Sequence, residues 1–365
     1  MAQALSKALD RIAGSSGPLP ERARALLGAL RPIVPFDAAW LAFADPISSN
    51  YTSLASVDLD DRVVDFLSGP VMARDIEATG NDLDGPPQSR SDLPYAAEDL
   101  STWSDCLIPA GIHESLTVAL FASGGRHVGF LALLSGSRIP PPRLARRRLA
   151  ALAPVLAHGI DPMPSLLSTA RLVRGATAGR VLRRDSRTEP LPGLDSDPLL
   201  AVGSPVVAAA CGRLADGRVY SSFLWPRGGE HAPDGHARIS VLAAPEGVPV
   251  VLGGVVLLSP GADLHELTPR EVEVLGLVID GCTNQEIAET LGVAPRTVAA
   301  HVEHVLVKLG ARTRTLAAVR AEREGLYFPG YRGPPAGSQA GTPTVSRFGR
   351  VELRAAGGRG LPERR

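Results

Sequence analysis

Apolar residues near the start of the chain recur at helical spacing and then give way to a continuous apolar run. In residues 20–32, Ala23, Leu26 and Leu30 fall on one face of a helix. Residues 36–45 (FDAAWLAFAD) are short and almost entirely apolar, which is typical of a buried strand. The pattern predicts a helix that leads into a β-sheet.

A second group of apolar runs follows an irregular polar stretch at residues 79–91. The runs SLTVALFAS (115–123) and HVGFLALLSG (127–136) are separated by the turn GGR, so they are predicted to form a β-hairpin. Residues 141–160 return to helical spacing, and this helix is expected to end near Gly159. The order of helix, strand, hairpin and closing helix predicts one module of mixed α and β structure.

The middle of the chain has a different composition. Residues 161–200 are rich in proline and arginine and are predicted to form a connector, part helix and part loop. Three apolar runs follow at 204–225, 236–244 and 248–260, broken by DG and PEG turn signals, and each is predicted to contribute a strand. We therefore expect a small lobe with antiparallel rather than doubly wound sheet structure.

Residues 266–325 carry the densest local signals in the chain. Thr268 and Glu271 have the spacing of a capping box, in which each side chain satisfies a backbone N–H at the start of a helix. Thr283 and Glu286 repeat the same arrangement fifteen residues later. Two short consecutive helices are predicted.

A third helix is expected directly after the second. Gly292 provides a residue that tolerates positive φ at a tight turn, and Val298, Val305 and Leu309 then line one side of a helix. Residues 313–325 offer a fourth helix. Two short helices, a glycine turn and a third helix constitute a helix-turn-helix.

The quoted segments also resemble a known family. LTPREVEVL, CTNQEIAETLGVAPRTVAAHVEHVLVKLGARTR and REGLYFP look like the C-terminal DNA-binding domain of LuxR/GerE-type bacterial transcriptional regulators. The resemblance implies a four-helix domain whose third helix enters the major groove. It also implies a homodimer, formed through the fourth helix, that binds a pseudo-palindromic site in double-stranded DNA.

The N-terminal module resembles a GAF-type sensor domain in its order of elements. The expected fold class is therefore α+β, with a GAF-like antiparallel sheet, a β-rich middle lobe and an all-α C-terminal domain. Four regions are expected: a GAF-like sensor or dimerisation domain at 18–160, a connector and lobe at 161–260, the helix-turn-helix at 264–328, and a disordered basic tail at 329–365.

Candidate site residues lie on the third and fourth helices. Those expected to contact DNA are Arg296, Thr297, Ala299, Ala300, His301, Glu303, His304, Lys308, Arg312 and Arg314. Those expected to form the dimer contact, as the resemblance implies, are Leu316, Ala317, Val319 and Arg320.

Three positions depart from the family pattern. Ala294 stands where Ser or Thr is usual, so the third helix lacks an N-cap oxygen. Ala299 replaces a common lysine, and Glu303 stands where a polar or basic residue is frequent. Together with a net charge of 7 − 9 = −2 over residues 266–325, these changes leave phosphate contact to Arg296, Lys308, Arg312 and Arg314. The tail carries 7 − 2 = +5 and could add salt-dependent attraction to DNA.

Composition excludes several other classes of protein. The chain of 365 residues has 38 basic and 38 acidic side chains, so any preference for nucleic acid is local. Its only lysines are Lys7 and Lys308, which rules out a phosphate-binding P-loop. The three cysteines lack CxxC spacing, so neither a disulfide framework nor a zinc knuckle is supported, and a cytoplasmic setting is expected. The first residues show no signal peptide, and no apolar run is long enough for a membrane span.

Other candidate chemistry is weaker. Cys106 and His113 lack a third orienting group, so no enzyme activity is expected. His231 and His236 belong to a loop better explained as solvated than as a metal site, and no cofactor or metal is predicted. A ligand pocket in the N-terminal module would be lined by residues that are equally explained as core: Trp40, Phe43, Trp103 and Cys106.

The sequence therefore predicts a cytoplasmic transcriptional regulator that binds DNA as a dimer and is controlled by an N-terminal sensor. RNA polymerase is a candidate partner, and the small-molecule ligand is not specified by the sequence. The alternative is a protein-interaction adaptor in which a degenerate helix-turn-helix serves only for dimerisation.

Overall fold

The computed structural model describes residues 2–228, 235–261 and 263–329, with side chains from residue 7 onward. The chain divides into two compact units. Unit 1 contains residues 1–173, 180–194 and 242–255, and unit 2 contains residues 174–179, 195–241 and 256–365. Within the described residues, none of the helices combines the length and apolar character needed to cross a bilayer.

The first half of the chain contains six α-helices and five strands among the described residues. They are α1 (Ala2–Ala13), α2 (Leu19–Leu30), β1 (Ala38–Ala44), β2 (Tyr51–Val57), α3 (Asp61–Leu67), α4 (Pro70–Ala78), β3 (Gln88–Ser89), β4 (Glu114–Phe121), β5 (His127–Ser135), α5 (Arg143–Ile160) and α6 (Met163–Ala170). A single π-helical turn at Thr102–Leu107 precedes β4. The helix, buried strand, hairpin and closing helix predicted for this region are confirmed.

The first sheet has the strand order β2-β1-β5-β4-β3, and its paired strands are antiparallel. Every residue of β1 is buried, because helices cover both faces of the sheet. Leu41 and Leu131 belong to the core shared with α1, α2 and α5. Trp40 and Phe130 point to the opposite core, which α3 and α4 cover. The expected GAF-like arrangement of an antiparallel sheet and flanking helices is present.

The second half continues with five strands and five further α-helices among the described residues. They are β6 (Ala178–Arg183), β7 (Thr188–Pro190), α7 (Pro205–Ala215), β8 (Tyr220–Pro226), β9 (His236–Ala243), β10 (Leu252–Pro260), α8 (Pro269–Ile279), α9 (Asn284–Leu291), α10 (Pro295–Lys308) and α11 (Arg314–Glu324). The second sheet has the order β7-β6-β10-β9-β8. The predicted α+β class with a helical C-terminal domain is confirmed.

The prediction of a strand from the whole run 204–225 was wrong in its first half. Residues 205–215 form α7, and only residues 220–226 form a strand. Ser204 caps this helix, since its Oγ accepts a hydrogen bond from Val207 N at 3.2 Å, and Pro205 occupies the first helical position. Alanines at 208–210 favour a helix, which outweighs the β-branched residues beside them.

A buried ion pair lies within unit 1. Arg183 in β6 is 2% exposed and donates from Nη2 to Asp45 Oδ2 at 2.6 Å. Glu189 Oε1 lies 3.5 Å from Nη1 of the same guanidinium. Burial raises the pKa of Glu189 above its ordinary value, although the nearby guanidinium opposes this shift. One cation is thus held between two buried carboxyl groups.

Removing the cation should destabilise unit 1 strongly. Arg183→Met would leave Asp45 buried with no cationic partner at Oδ2, and breaking such a pair costs about 3–5 kcal/mol. We expect the urea midpoint to fall accordingly, while Arg187→Met, which changes an exposed arginine nearby, should change it little. Equal unfolding midpoints for the two variants would contradict the assignment.

Candidate DNA-binding site

Capping boxes fix the starts of the first two helices of the C-terminal domain. Thr268 N donates to Glu271 Oε2 at 2.8 Å, and Glu271 N donates to Thr268 Oγ1 at 3.3 Å. Thr283 and Glu286 repeat the exchange at 2.6 and 3.3 Å. The local prediction is therefore confirmed at both helix starts, which leaves few free backbone N–H groups in these first turns.

The turn between α9 and α10 depends on Gly292. This residue adopts φ 64° and ψ 34°, the left-handed conformation that favours glycine. Ala294 then occupies the N-cap of α10 with φ −76° and ψ 146° and makes no side-chain capping hydrogen bond. Pro295 has no N–H and Thr297 N donates to Ala294 O at 2.9 Å, so in this first turn it is the Arg296 N–H that lacks a capping side chain.

Packing of α10 against α8 and α9 orients its outer face. Val298 is buried with Val274 and Ile287 in one cluster. Val305 is buried in a second cluster with Leu275. The side of α10 opposite these residues is left for contact with another molecule.

The outward face of α10 carries small and polar side chains. Arg296, Thr297, Ala300 and Glu303 are exposed, and Ala299 is half-buried. At about 100° per residue, Ala299, Ala300 and Glu303 fall in one sector of about 100°. Three of the residues predicted to contact DNA thus share one face of α10, while Thr297 and His304 lie further round the helix, beyond Ala300.

Two of the four predicted phosphate-binding cations make hydrogen bonds inside the domain. Lys308 Nζ donates to Glu271 Oε2 at 2.7 Å and to Glu266 O at 2.9 Å. Arg314 donates to Asn284 Oδ1 at 2.8 Å and also to the carbonyl of Cys282. These two side chains join helices to one another, which spacing along the sequence could not reveal.

The other two predicted cations are exposed. Within the described residues, neither the Arg296 nor the Arg312 guanidinium has a hydrogen-bond or ion-pair partner. Arg296 lies in the first turn of α10, and Arg312 lies just after the end of the helix. Both are available to an external anion.

The Glu271 carboxylate is buried, yet it remains charged. Burial tends to raise its pKa, but hydrogen bonds from Lys308 and Thr268 outweigh burial and hold the pKa below its ordinary value. The charged carboxylate can therefore accept hydrogen bonds both at the N-terminus of α8 and from the Lys308 ammonium group of α10.

The predicted dimerisation residues separate into exposed and buried members. Leu316 and Val319 are 36% and 39% exposed on α11, whereas Ala317 is 2% exposed and lies in the helical core. Arg320 donates from Nη1 to the carbonyls of Leu309 and Gly310, at 2.5 and 2.8 Å. It therefore satisfies carbonyls at the end of α10, while Leu316 and Val319 form an apolar patch on the surface.

The end of the domain is attached to β8 of the same unit. Leu224 N donates to Tyr327 O at 2.8 Å, and Leu224 is buried in the helical core. Gly325 adopts φ 64°, and a Cβ at this position would meet Ser222 Oγ at 2.6 Å. Only glycine fits here without displacing β8. Sequence reasoning missed this contact, because nothing local in REGLYFP identifies its partner.

The structure also places most of the residues that were weaker candidates for a ligand pocket or a metal site. A small cavity of about 50 Å³ in unit 1 is lined by Trp103, whereas Trp40 and Phe43 are fully buried core residues and do not line it. His236 is buried beside the ring of Phe328. His231 and the predicted tail beyond Pro329 lie outside the described residues.

Comparison with known proteins identifies the C-terminal segment. Residues 265–321 match the model of the bacterial regulatory proteins of the luxR family. These residues form a LuxR-type helix-turn-helix domain. The predicted resemblance is confirmed for this part of the chain.

Curated relatives are similar over the same domain. The transcriptional regulatory protein LiaR of Bacillus subtilis strain 168 is 48% identical over 63 residues, which are 17% of this chain and 30% of LiaR. The nitrate/nitrite response regulator protein NarL of Escherichia coli K12 is 38% identical over 65 residues, 18% of this chain and 30% of NarL. The chain thus spans under a third of the length of these two relatives.

Solved structures are similar over the first half of the chain. The GAF domain of an Acinetobacter phosphoenolpyruvate-protein phosphotransferase aligns with a TM-score of 0.34 and 15% identity, covering 47% of this chain and 95% of that domain. The LuxR-type receptor VqmA of Vibrio cholerae aligns with a TM-score of 0.24 and 18% identity, covering 45% of this chain and 90% of VqmA.

The LuxR-type domain should gain stability from a serine at position 294. Its N-cap backbone is already extended, so the hydroxyl of Ala294→Ser can accept from a free N–H of α10, a gain of about 1 kcal/mol. Chemical unfolding should show a higher midpoint. Ala300→Ser, the same change at an exposed position inside α10, should give no gain, and a gain of equal size would contradict the capping explanation.

Proposed function

We propose that this protein is a DNA-binding transcriptional regulator that inserts α10 into the major groove as a dimer. The observation that carries the proposal is the exposed face of α10, which is set by the Gly292 turn in a domain of the LuxR type. An α-helix fits the major groove, and its first turns carry the residues that reach bases.

Phosphate contacts are assigned first to the two exposed guanidinium groups. Arg296 and Arg312 lie before and after most of α10, so they can bind phosphates at both ends of the helix and set its orientation. The Arg296 backbone N–H, which no capping side chain satisfies, adds a donor for a further phosphate oxygen. Lys308 and Arg314 support this arrangement from inside the domain.

Base contacts are assigned to the centre of the exposed face. The methyl groups of Ala299 and Ala300 can contact thymine methyl groups, and Glu303 can accept a hydrogen bond from a cytosine amino group. Thr297 can contact either a base or a phosphate. His301 lies further round α10, toward α8, where any DNA contact is to the backbone.

The other regions are proposed to serve this activity. Residues 18–160 would act as a sensor or dimerisation domain, residues 161–260 as connector and lobe, and residues 264–328 as the DNA-binding domain. The basic tail at 329–365 would add attraction to DNA that does not depend on sequence. The proposed setting is the cytoplasm, with RNA polymerase as a candidate partner.

Loss of a phosphate contact should weaken binding and its dependence on salt together. Arg296→Ala is expected to lower affinity for a selected DNA site and to reduce the slope of log affinity against log salt by about 0.9 per subunit. Fluorescence anisotropy at several salt concentrations measures both quantities. The matched control is Arg24→Ala, which changes an exposed arginine of α2 and should leave both unchanged.

Genome-wide footprinting separates this proposal from the adaptor alternative. A regulator should protect discrete sites, and the protection should weaken in Arg296→Ala and Thr297→Ala. If the protein protects no discrete sites and both variants behave like the parent chain, the regulator proposal fails. The degenerate helix-turn-helix would then serve for dimerisation alone.

The dimer proposal rests on the apolar patch formed by Leu316 and Val319. Placing a carboxylate at each position in Leu316→Glu/Val319→Glu should prevent burial of the patch, since an unpaired buried charge is costly. Sedimentation of the protein with DNA should then show that subunits bind the two half-sites independently, without cooperativity between them. Leu83→Glu, at an exposed apolar residue elsewhere, should keep the dimer. A cooperative dimer in the double variant would place the interface on another surface.

A further inference from the structure

A cluster of three side chains of metal-binding types lies where α8 meets α10. Glu271, His301 and His304 each offer a ligand atom, and these atoms all lie within 4.8 Å of one another. Glu271 is buried, His301 is half-buried and His304 is exposed, so the cluster opens to solvent on one side. An ion could enter without any movement of the helices.

The spacing of the donor atoms suits a tetrahedral ion. Zinc bonds to imidazole nitrogen and carboxylate oxygen are about 2.0–2.2 Å long, which separates two ligand atoms by about 3.4 Å at a tetrahedral angle. His304 Nδ1 lies 3.5 Å from Glu271 Oε1. Rotation of the accessible imidazoles closes the remaining distances, because neither ring is enclosed by the core.

The carboxylate is oriented in the way that a ligating carboxylate requires. Its Oε2 accepts hydrogen bonds from Thr268 N at 2.8 Å and Lys308 Nζ at 2.7 Å. These bonds fix the plane of the group and turn Oε1 toward His304. Hydrogen bonds to the second oxygen of a metal-binding carboxylate are a regular feature of such sites.

The cluster is separate from the sector of α10 that holds Ala299, Ala300 and Glu303. At about 100° per residue, His301, His304 and Lys308 lie within about 60° of one another and about 120° round α10 from the centre of the sector formed by Ala299, Ala300 and Glu303. An ion at the cluster would therefore join α8 to α10 and leave Ala299, Ala300 and Glu303 uncovered, whereas Thr297 lies in the same sector as the cluster, one turn nearer the N-terminus of α10.

We propose that Glu271, His301 and His304 form a binding site for a divalent transition-metal ion of the zinc type. Two imidazole nitrogens and one carboxylate oxygen supply three ligands, and water completes the fourth position. The bound ion cross-links the start of α8 to the second half of α10, so metal binding stabilises the folded domain by mass action.

Titration of the full-length chain, prepared without a histidine tag, with Co²⁺ tests the site near neutral pH. The visible absorption bands of bound Co²⁺ report coordination number and ligand type directly. We expect the parent chain to show one low-coordinate site. In His301→Asn/His304→Asn the affinity should fall by more than about tenfold, since loss of groups that merely orient ligands already costs about 10–100-fold. Zn²⁺ should displace Co²⁺ from the parent chain.

The control is His158→Asn, which removes an exposed histidine outside the cluster and should leave the spectrum and affinity unchanged. Circular dichroism without metal checks that each variant is folded. If the double variant is unfolded, His304→Asn decides, because this side chain is 64% exposed and its loss does not disturb the core. Folded variants that bind Co²⁺ with the parent's affinity and spectrum would overturn the proposal. The readout does not involve DNA, so it is independent of the proposed regulator function.

Discussion

Glu271 closes the capping box at the start of α8 and, through the same oxygen, holds Lys308 at the end of α10. A helix of fourteen residues is marginal by itself, so α10 keeps its position through tertiary contacts. Val298 and Val305 fix its distance from the core, but apolar contacts alone allow rotation about the helix axis. The contact between the Glu271 carboxylate and the Lys308 ammonium group has a fixed direction and restricts that rotation. It therefore determines which residues of α10 lie on the outer face.

The electrostatics of the domain follow from the same contact. A segment with a net charge of −2 approaches DNA unfavourably as a whole, and one of its seven cations is used internally by Glu271. In the proposed complex, attraction to DNA therefore depends on the local placement of Arg296 and Arg312. With Ala299 in place of the family's common lysine and Ala300 beside it, the proposed recognition relies more on shape and methyl contacts than on charge.

The features that sequence predicted correctly are those whose physics is local. A capping box joins residues three positions apart, and a left-handed glycine is required by the turn itself, so Thr283 and Gly292 could be assigned without a fold. The strand prediction for the α7 segment was wrong because a short run of consecutive small and β-branched apolar residues fits a strand and a buried helix equally well. The hydrogen bonds that Lys308 and Arg314 make inside the domain could not be predicted, for another reason. Their partners lie thirty or more residues away, and only the packed structure brings them within 3 Å.

The attachment of α11 to β8 has a mechanical consequence. Leu224 lies in the core of the helical domain, its N–H binds Tyr327 O, and the Arg218–Glu322 ion pair adds a contact at 2.7 Å. Gly325 leaves no free space against Ser222, so β8 cannot shift toward α11 without moving it. Close-packed interiors transmit displacements of this kind rather than absorb them. Any change that repositions β8 must therefore also move α11, which carries the apolar patch assigned to the dimer.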